Sequence, residues 1–277
     1  MTAASRPSPL RRGRLAALFV PATRPERFAK AAAAGADAVI IDLEDAVAHA
    51  DKEAARAALA AALNAGLPEG VPLLLRINGA GTPWHADDLA LAARLPLAGV
   101  VLPKAETTDD LIHAARQLAG LPLVALIESA AGLGRARALA ALPQVARLAF
   151  GSIDFAADLG CAHTRTALLA ARSELVLAAR LAGQEGPVDG VTTALADAAL
   201  ATDDAAHAAE LGFAGKLMIH PSQIAPVLTG FAPSAEEIAW ARRILAAIAQ
   251  GGAVVSVDGA MVDAPVRLRA ERILARA

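Results

Sequence analysis

Cysteine is almost missing: Cys161 is the only one in 277 residues, which rules out an intramolecular disulfide and fits a reducing, cytoplasmic setting. Aromatic residues make up 3% of the chain, so few platforms exist for stacking bases. The net charge is -2, with no basic tract dense enough to follow a phosphate backbone, and nucleic acid is not an expected partner. No uninterrupted apolar run reaches the roughly 18 residues that a membrane span would need. The leader MTAASRPSPLRRGR is basic, but the LAALFVPA after it is short and runs into Arg24, so it reads as an irregular leader and a first strand rather than a secretory signal. Six histidines are present without an HExxH motif or a close pair, which gives no case for zinc. His85, His113 and His207 are expected at solvated helix positions.

What the chain does have is apolar surface, 56% hydrophobic against 19% charged residues, much of it alanine that packs helices closely. Short apolar runs recur, each ending on a charged or polar residue. LFVPA at 18–22 leads to Arg24, AVIIDLED at 38–45 to a carboxylate cluster, LLLRIN at 73–78 to Arg76 and VVLPK at 100–104 to Lys104. VALIE at 124–128 ends on Glu128, LAFGSID at 148–154 on Asp154, PVDGV at 187–191 carries Asp189, and KLMIH at 216–220 ends on His220. Helical periodicity fills 24–34, 48–63, 85–95, 107–118, 132–141, 163–183 and 202–211. Eight strand-helix repeats in a chain of this length predict a (β/α)8 barrel over 1–230, whose strand ends would gather the charged residues at one mouth. After TGFAPS at 229–234, an amphipathic helix, a segment alternating around Asp258-Gly259 and a final charged helix predict a helix-hairpin-helix extension over 231–277.

Glu128 and Asp154 would end the adjacent strands five and six, close enough to share one hard cation. Two carboxylates, with water and substrate filling the other positions, is the usual arrangement for Mg2+. The competing reading is that each acid caps a helix or pairs with Arg or Lys. Arg76 and Lys104 place positive charge across the same mouth, which suits an anionic substrate, and a guanidinium can hold a carboxylate or an enolate oxygen. A Schiff base on Lys104 is less favoured beside a divalent ion. Glu44 and Asp45 are read as holding metal-bound waters, with salt bridges to Arg27 or Lys52 as the alternative. His220 is read as lining the substrate site and Cys161 as structural. Gly132-Leu133-Gly134 opens a helix after a strand, but Arg137 stands where a dinucleotide fingerprint needs glycine.

The segments LFVPATRPERFAKAAAAGADAVIIDLEDAV, LLLRIN, GVVLPKAE, ALIESAAGL, AFGSIDFAADLG and KLMIHPSQI resemble, in order, the signature segments of the citrate lyase beta-subunit-like family. The resemblance covers nearly the whole chain. It implies a (β/α)8 barrel, a homo-oligomer that is often a trimer, and Mg2+-dependent cleavage or formation of a carbon-carbon bond beside a CoA-type thioester. It further implies that Glu128 and Asp154 hold Mg2+ and that Arg76 binds the carbonyl or enolate oxygen. Phe19, Arg24 and Lys30 would contact the CoA moiety or the substrate, with Lys104 and His220 completing that binding group. GAMVDAP resembles a lid segment of the family's malyl- and citramalyl-CoA lyases, which makes Asp263 a proton donor or acceptor reaching a neighbouring subunit's site. The extension is then a lid or subunit contact. The products would be an acetyl or acyl thioester and a 2-oxo acid. Alternatives are the citryl-cleaving subunit of a citrate lyase complex, working on an acyl carrier protein thioester, a non-catalytic barrel that binds CoA esters, and a metal-dependent aldolase of free oxo acids.

Overall fold

In the computed structural model, residues 9–66, 70–251, 255–257 and 260–276 are described. Seven strands form one parallel sheet: β1 (Leu15–Pro21), β2 (Ala38–Asp42), β3 (Leu73–Arg76), β4 (Gly99–Leu102), β5 (Leu123–Ile127), β6 (Val145–Phe150) and β7 (Gly215–Met218). They are ordered β6-β5-β4-β3-β2-β1-β7. The strands are buried on both faces, as parallel strands under crossover helices must be. Alternation then sorts their side chains. Ala17, Ile40, Leu74, Val101, Val124, Leu126 and Ala149 pack together on one face, while Leu18, Ile41, Leu75, Leu102, Ile127 and Phe150 meet the helices on the other.

Helices α1 (Phe28–Ala32), α2 (Lys52–Ala65), α3 (His85–Ala92), α4 (Thr108–Gln117), α5 (Ala130–Ala140), α6 (Ser152–Leu159), α7 (Arg165–Leu181), α8 (Ala198–Leu211) and α9 (Ile224–Phe231) follow the strands. Thr107, Ser129, Thr164 and Asp197 cap α4, α5, α7 and α8 by accepting an amide N–H three residues on, which starts those helices sharply.

Two expectations change. The run at 187–191 is not a strand: it makes only two isolated bridges, Ala149↔Val188 and Asp189↔Lys216. Pro187 has no N–H to donate, which shortens any ladder there. These bridges join β6 to β7, so the eighth strand position survives as a two-residue link in a TIM-barrel-like fold. Asp154 does not end a strand either. β6 stops at Phe150 and Asp154 lies in the first turn of α6, a helix the periodicity did not show.

The strand starts are plugged. Leu10 is fully buried against Gly99, and the buried Arg147 donates to the carbonyls of Leu10 at 3.0 Å, Gly13 at 3.1 Å and Gly186 at 3.2 Å. The opposite end, where the strands finish, is open.

Beyond residue 231, α10 (Ala235–Gly251) and α11 (Ala264–Leu274) pack through Ala241, Ile244, Val262, Ala270 and Ile273, a small core of their own. Strands β8 (Val255–Val257) and β9 (Ala260–Val262) pair antiparallel between them. The turn expected at Asp258-Gly259 lies outside the described residues. Among the described residues, no helix is long and apolar enough to cross a membrane.

Candidate active site

The strand ends surround a cavity of about 430 Å3 whose walls include Phe19, Asp42, Asp45, Arg76, Glu128, Phe150, Asp154 and Leu217. Parallel pairing sets Asp42 of β2 beside Arg76 of β3. The carboxylate takes the guanidinium in a fork, with Nε to Oδ1 at 2.7 Å and Nη2 to Oδ2 at 2.6 Å. The same two oxygens accept the amides of Glu44 at 2.9 Å and Ala46 at 3.0 Å, so the turn after β2 locks the anchor of Arg76. Nη1 lies 3.0 Å from Glu44 Oε2 and 3.4 Å from Asp45 Oδ2, and the Phe19 ring lies 4.8 Å from the guanidinium carbon. Burial alone would lower the Arg76 pKa, but Asp42 and the neighbouring acids carry it above its ordinary value. Three of its five N–H donors are engaged in hydrogen bonds and Nη1 also stands beside Glu44, so a ligand would draw on what remains at Nη1 and Nη2.

Glu128 directly follows β5 and is 4% exposed. Burial, with the negative charges of Glu44 and Asp154, pushes its carboxyl up to about 8. Lys104 offsets this in part. Its φ of +48° is in the left-handed region, uncommon for a side chain with a Cβ. There its amide donates to Glu128 Oε1 at 2.7 Å and its ammonium to Glu44 Oε1 at 2.7 Å. Burial likewise raises Glu44, against the lowering by Arg76 and Lys104. On its other side Glu128 is met by Gly151: a Cβ there would overlap Glu128 Oε2 and stand 2.5 Å from Glu128 Cβ.

Glu128 and Asp154 are therefore two acids on one cavity, where burial and then neighbouring negative charge work against ionising Glu128. A cation at that point would offset the negative charge, so the donors fit a hard divalent ion. Among the described residues no group of three or more His, Cys, Asp or Glu side chains is placed to hold a metal. Two carboxylates suffice for Mg2+, which keeps several waters.

A second cavity of about 340 Å3, lined by Glu44, Asp45, His49, Trp84 and Lys104, adjoins the first at Asp45. Lys52 gives its ammonium to the carbonyls of Leu43 and Glu44, both at 2.7 Å, and not to the Glu44 or Asp45 side chains; Arg27 lies 3.9 Å from Glu26. Arg24, Lys30, His220 and Asp263 are not among the residues lining either cavity. Arg24 pairs with Glu26 at 2.6 Å, Lys30 is exposed on α1, His220 caps the turn Pro221–Gln223, and Asp263 caps α11 by accepting the Val266 amide at 3.2 Å.

His85 is a correction: it is buried, with Nδ1 2.8 Å from the Asn78 carbonyl, because the loop after β3 folds back onto α3 through Asp88. His207 is half-buried, and His113 is exposed beside Gln117. Cys161 packs against the main core. The sequence reading passed over Asp42 as the anchor of Arg76 and Gly151 as the packing partner of Glu128.

Residues 15–221 match the family model described as HpcH/HpaI aldolase/citrate lyase. A citrate lyase subunit beta-like protein of Mycobacterium tuberculosis is 42% identical over 272 residues, 94% of each chain. A (3S)-malyl-CoA thioesterase of Cereibacter sphaeroides is 35% identical over 266 residues, 94% of this chain and 93% of its own. The crystal structure of CitE from Mycobacterium tuberculosis in complex with magnesium, acetoacetate and coenzyme A aligns with a TM-score of 0.85 at 39% identity, covering 96% of this chain and 98% of that one.

Proposed function

The chain belongs to the HpcH/HpaI aldolase/citrate lyase family, and from that premise we propose that it is a Mg2+-dependent carbon-carbon lyase. Its substrate would be a 3-hydroxyacyl-CoA thioester of the malyl, citramalyl or citryl type. The observation that carries this reading is the buried, charge-frustrated Glu128 sharing a cavity with Asp154 and with a guanidinium that has donors to spare. Magnesium and coenzyme A in the CitE complex support it.

Glu128 and Asp154 would hold the ion, which when bound supplies Lewis-acid polarisation of the oxygen that becomes the oxo group. Asp42 fixes Arg76 so that its remaining N–H meets the thioester oxygen, where negative charge develops as the hydroxyl proton passes to a water ordered by Glu44 and Asp45 and the carbon-carbon bond breaks. Phe19 supports the guanidinium from behind and, with Phe150 and Leu217, keeps the cavity wall apolar. The electron pair of the broken bond becomes the thioester enolate. Protonation at carbon yields the acyl-CoA, and Asp263 of a neighbouring subunit is the proposed acid. That role needs an oligomer, with residues 231–277 acting as lid or subunit contact. Arg24, Lys30, Lys104 and His220 are assigned to the CoA and substrate contacts, and Glu44 and Asp45 to ordering water around the ion.

A second reading, thioester hydrolysis, is favoured by the relative named (3S)-malyl-CoA thioesterase. Product analysis on malyl-CoA with Mg2+ separates the two. Acetyl-CoA with glyoxylate supports the lyase, and free CoA with malate overturns it in favour of hydrolysis.

A further inference from the structure

Between the sheet and α7, outside the lining of the cavity, lie three charged side chains that the chemistry above does not use. Asp189 and Lys216 are each 1% exposed and Arg172 is buried. Arg172 Nε donates to Asp189 Oδ1 at 2.9 Å, Lys216 Nζ lies 3.5 Å from Asp189 Oδ2, and Lys216 Nζ donates to the Gly190 carbonyl at 2.6 Å. Two cations thus share one anion away from water, and Arg172 Nη1 has no hydrogen-bond partner among the described residues. Such a cluster is a poor way to gain stability, since apolar side chains of similar volume commonly do as well or better. Its use must lie in what it holds in place.

What it holds is the end of the segment 187–191. Backbone hydrogen bonds tie Pro187, Val188 and Asp189 to β6 and to the start of β7, and beyond them the ionic cluster grips the Asp189 side chain and the Gly190 carbonyl. Gly190 in turn lies against the start of α6. A Cβ there would overlap Ser152 Oγ and stand 2.7 Å from Ser152 Cβ and 3.0 Å from the Phe150 carbonyl. From the other side His163 Nε2 meets Ser152 Oγ at 2.9 Å. Ser152 opens the helix whose first turn carries Asp154, and Val191, next to Gly190, lines the catalytic cavity with Ser152.

We propose that Arg172, Asp189 and Lys216 are positioning residues that set the height of Asp154 in the cavity, acting through Gly190 and Ser152. This rests on the reading of Asp154 as a metal-holding carboxylate. The ionic cluster fixes the 187–191 segment, the segment seats the first residue of α6, and the helix presents Asp154 to the ion opposite Glu128.

The test measures Mg2+ affinity of the purified full-length protein by titration calorimetry, with thermal unfolding alongside. Lys216→Met keeps most of the volume and removes the charge. It should weaken Mg2+ binding about tenfold or more, the usual cost of disturbing a group behind a metal ligand, with turnover recovered at high Mg2+. Arg147→Met removes an equally buried cation at the closed end of the barrel. It should lower the melting temperature and leave Mg2+ affinity unchanged. Ser152→Ala leaves the cluster intact and removes the hydroxyl packed between Gly190 and His163, so it decides the matter if Lys216→Met does not fold. Asp154→Asn tests the underlying reading separately. If Asp154→Asn binds Mg2+ as the parent does, that reading fails. If Asp154→Asn loses binding while Lys216→Met or Ser152→Ala binds as tightly as the parent, the positioning role is overturned. Equal weakening in Arg147→Met and Lys216→Met would also overturn it, by showing a general effect of lost stability.

Discussion

Replacing Gly151 with alanine probes the closest packing at the site. The φ and ψ of Gly151 are -84° and 71°, so alanine meets no left-handed penalty and the effect is one of space. The new Cβ would stand 2.5 Å from Glu128 Cβ, whereas carbon atoms settle at about 3.5–4.0 Å. An opening of about 1 Å is therefore needed. No change in the Glu128 side-chain rotamer can supply it, because Glu128 Cβ is fixed by the backbone at the end of β5. Gly151 N is likewise tied to the Ile127 carbonyl at 2.9 Å, so the two strand ends must separate. Overpacking of this kind costs about 1–3 kcal/mol, or roughly 2–4 °C of melting temperature per kcal/mol for a chain of this size. An error of about 1 Å in a catalytic group costs on the order of a hundredfold in turnover. Gly151→Ala should therefore melt several degrees lower and cleave its thioester about a hundredfold more slowly, measured by scanning calorimetry and by acetyl-CoA release. A variant matching the parent in both would refute the claim that this contact sets Glu128.

Three further expectations follow from the same geometry. Arg76→Lys keeps the charge but loses the fork on Asp42, and should lower kcat/KM by about 10²–10³; an effect under threefold in steady-state kinetics would contradict the role given to Arg76. Glu128 has its pKa raised in the folded state from 4.5 to about 8, so the metal-free fold binds the proton more tightly than the unfolded chain does. Its contribution to stability is thus full below the unfolded value and is lost as pH rises towards 8. Because Mg2+ needs the ionised form, affinity should climb about tenfold per pH unit up to that point and then level off, and calorimetry showing no pH dependence between pH 6 and pH 8 would contradict it. Arg147→Met, which strands the carbonyls of Leu10, Gly13 and Gly186, should cost about 1–3 kcal/mol in urea unfolding, and a neutral result would mean that the plug is not held this way.

The charged ends of the apolar runs carried much of the site. Arg76 and Glu128 were legible because a buried strand has no reason to finish on an ionisable residue unless something waits beyond it. Asp154 lines the cavity from a helix and not from a strand end, since the periodicity window could not separate strand LAF from helix SIDFAADL across Gly151. Asp42 was hidden by its neighbours: only the parallel register, which sets it beside Arg76, shows that it serves as the anchor. The burial of His85 depends on a loop folding back over Asp88 and Asn78, a contact that no local pattern encodes. PVDGV read as a strand because it is apolar and follows a helix. Its pairing stops at Asp189, and an ion cluster whose members lie far apart in sequence holds it beyond that point.

The most direct test of the central claim follows acetyl-CoA release from malyl-, citramalyl- and citryl-CoA by the purified protein, before and after metal removal, beside Asp154→Asn. The account predicts release from at least one thioester that stops with chelator, returns with added Mg2+ and is lost in the variant. Release that persists without metal, or at parental rate in Asp154→Asn, would contradict it.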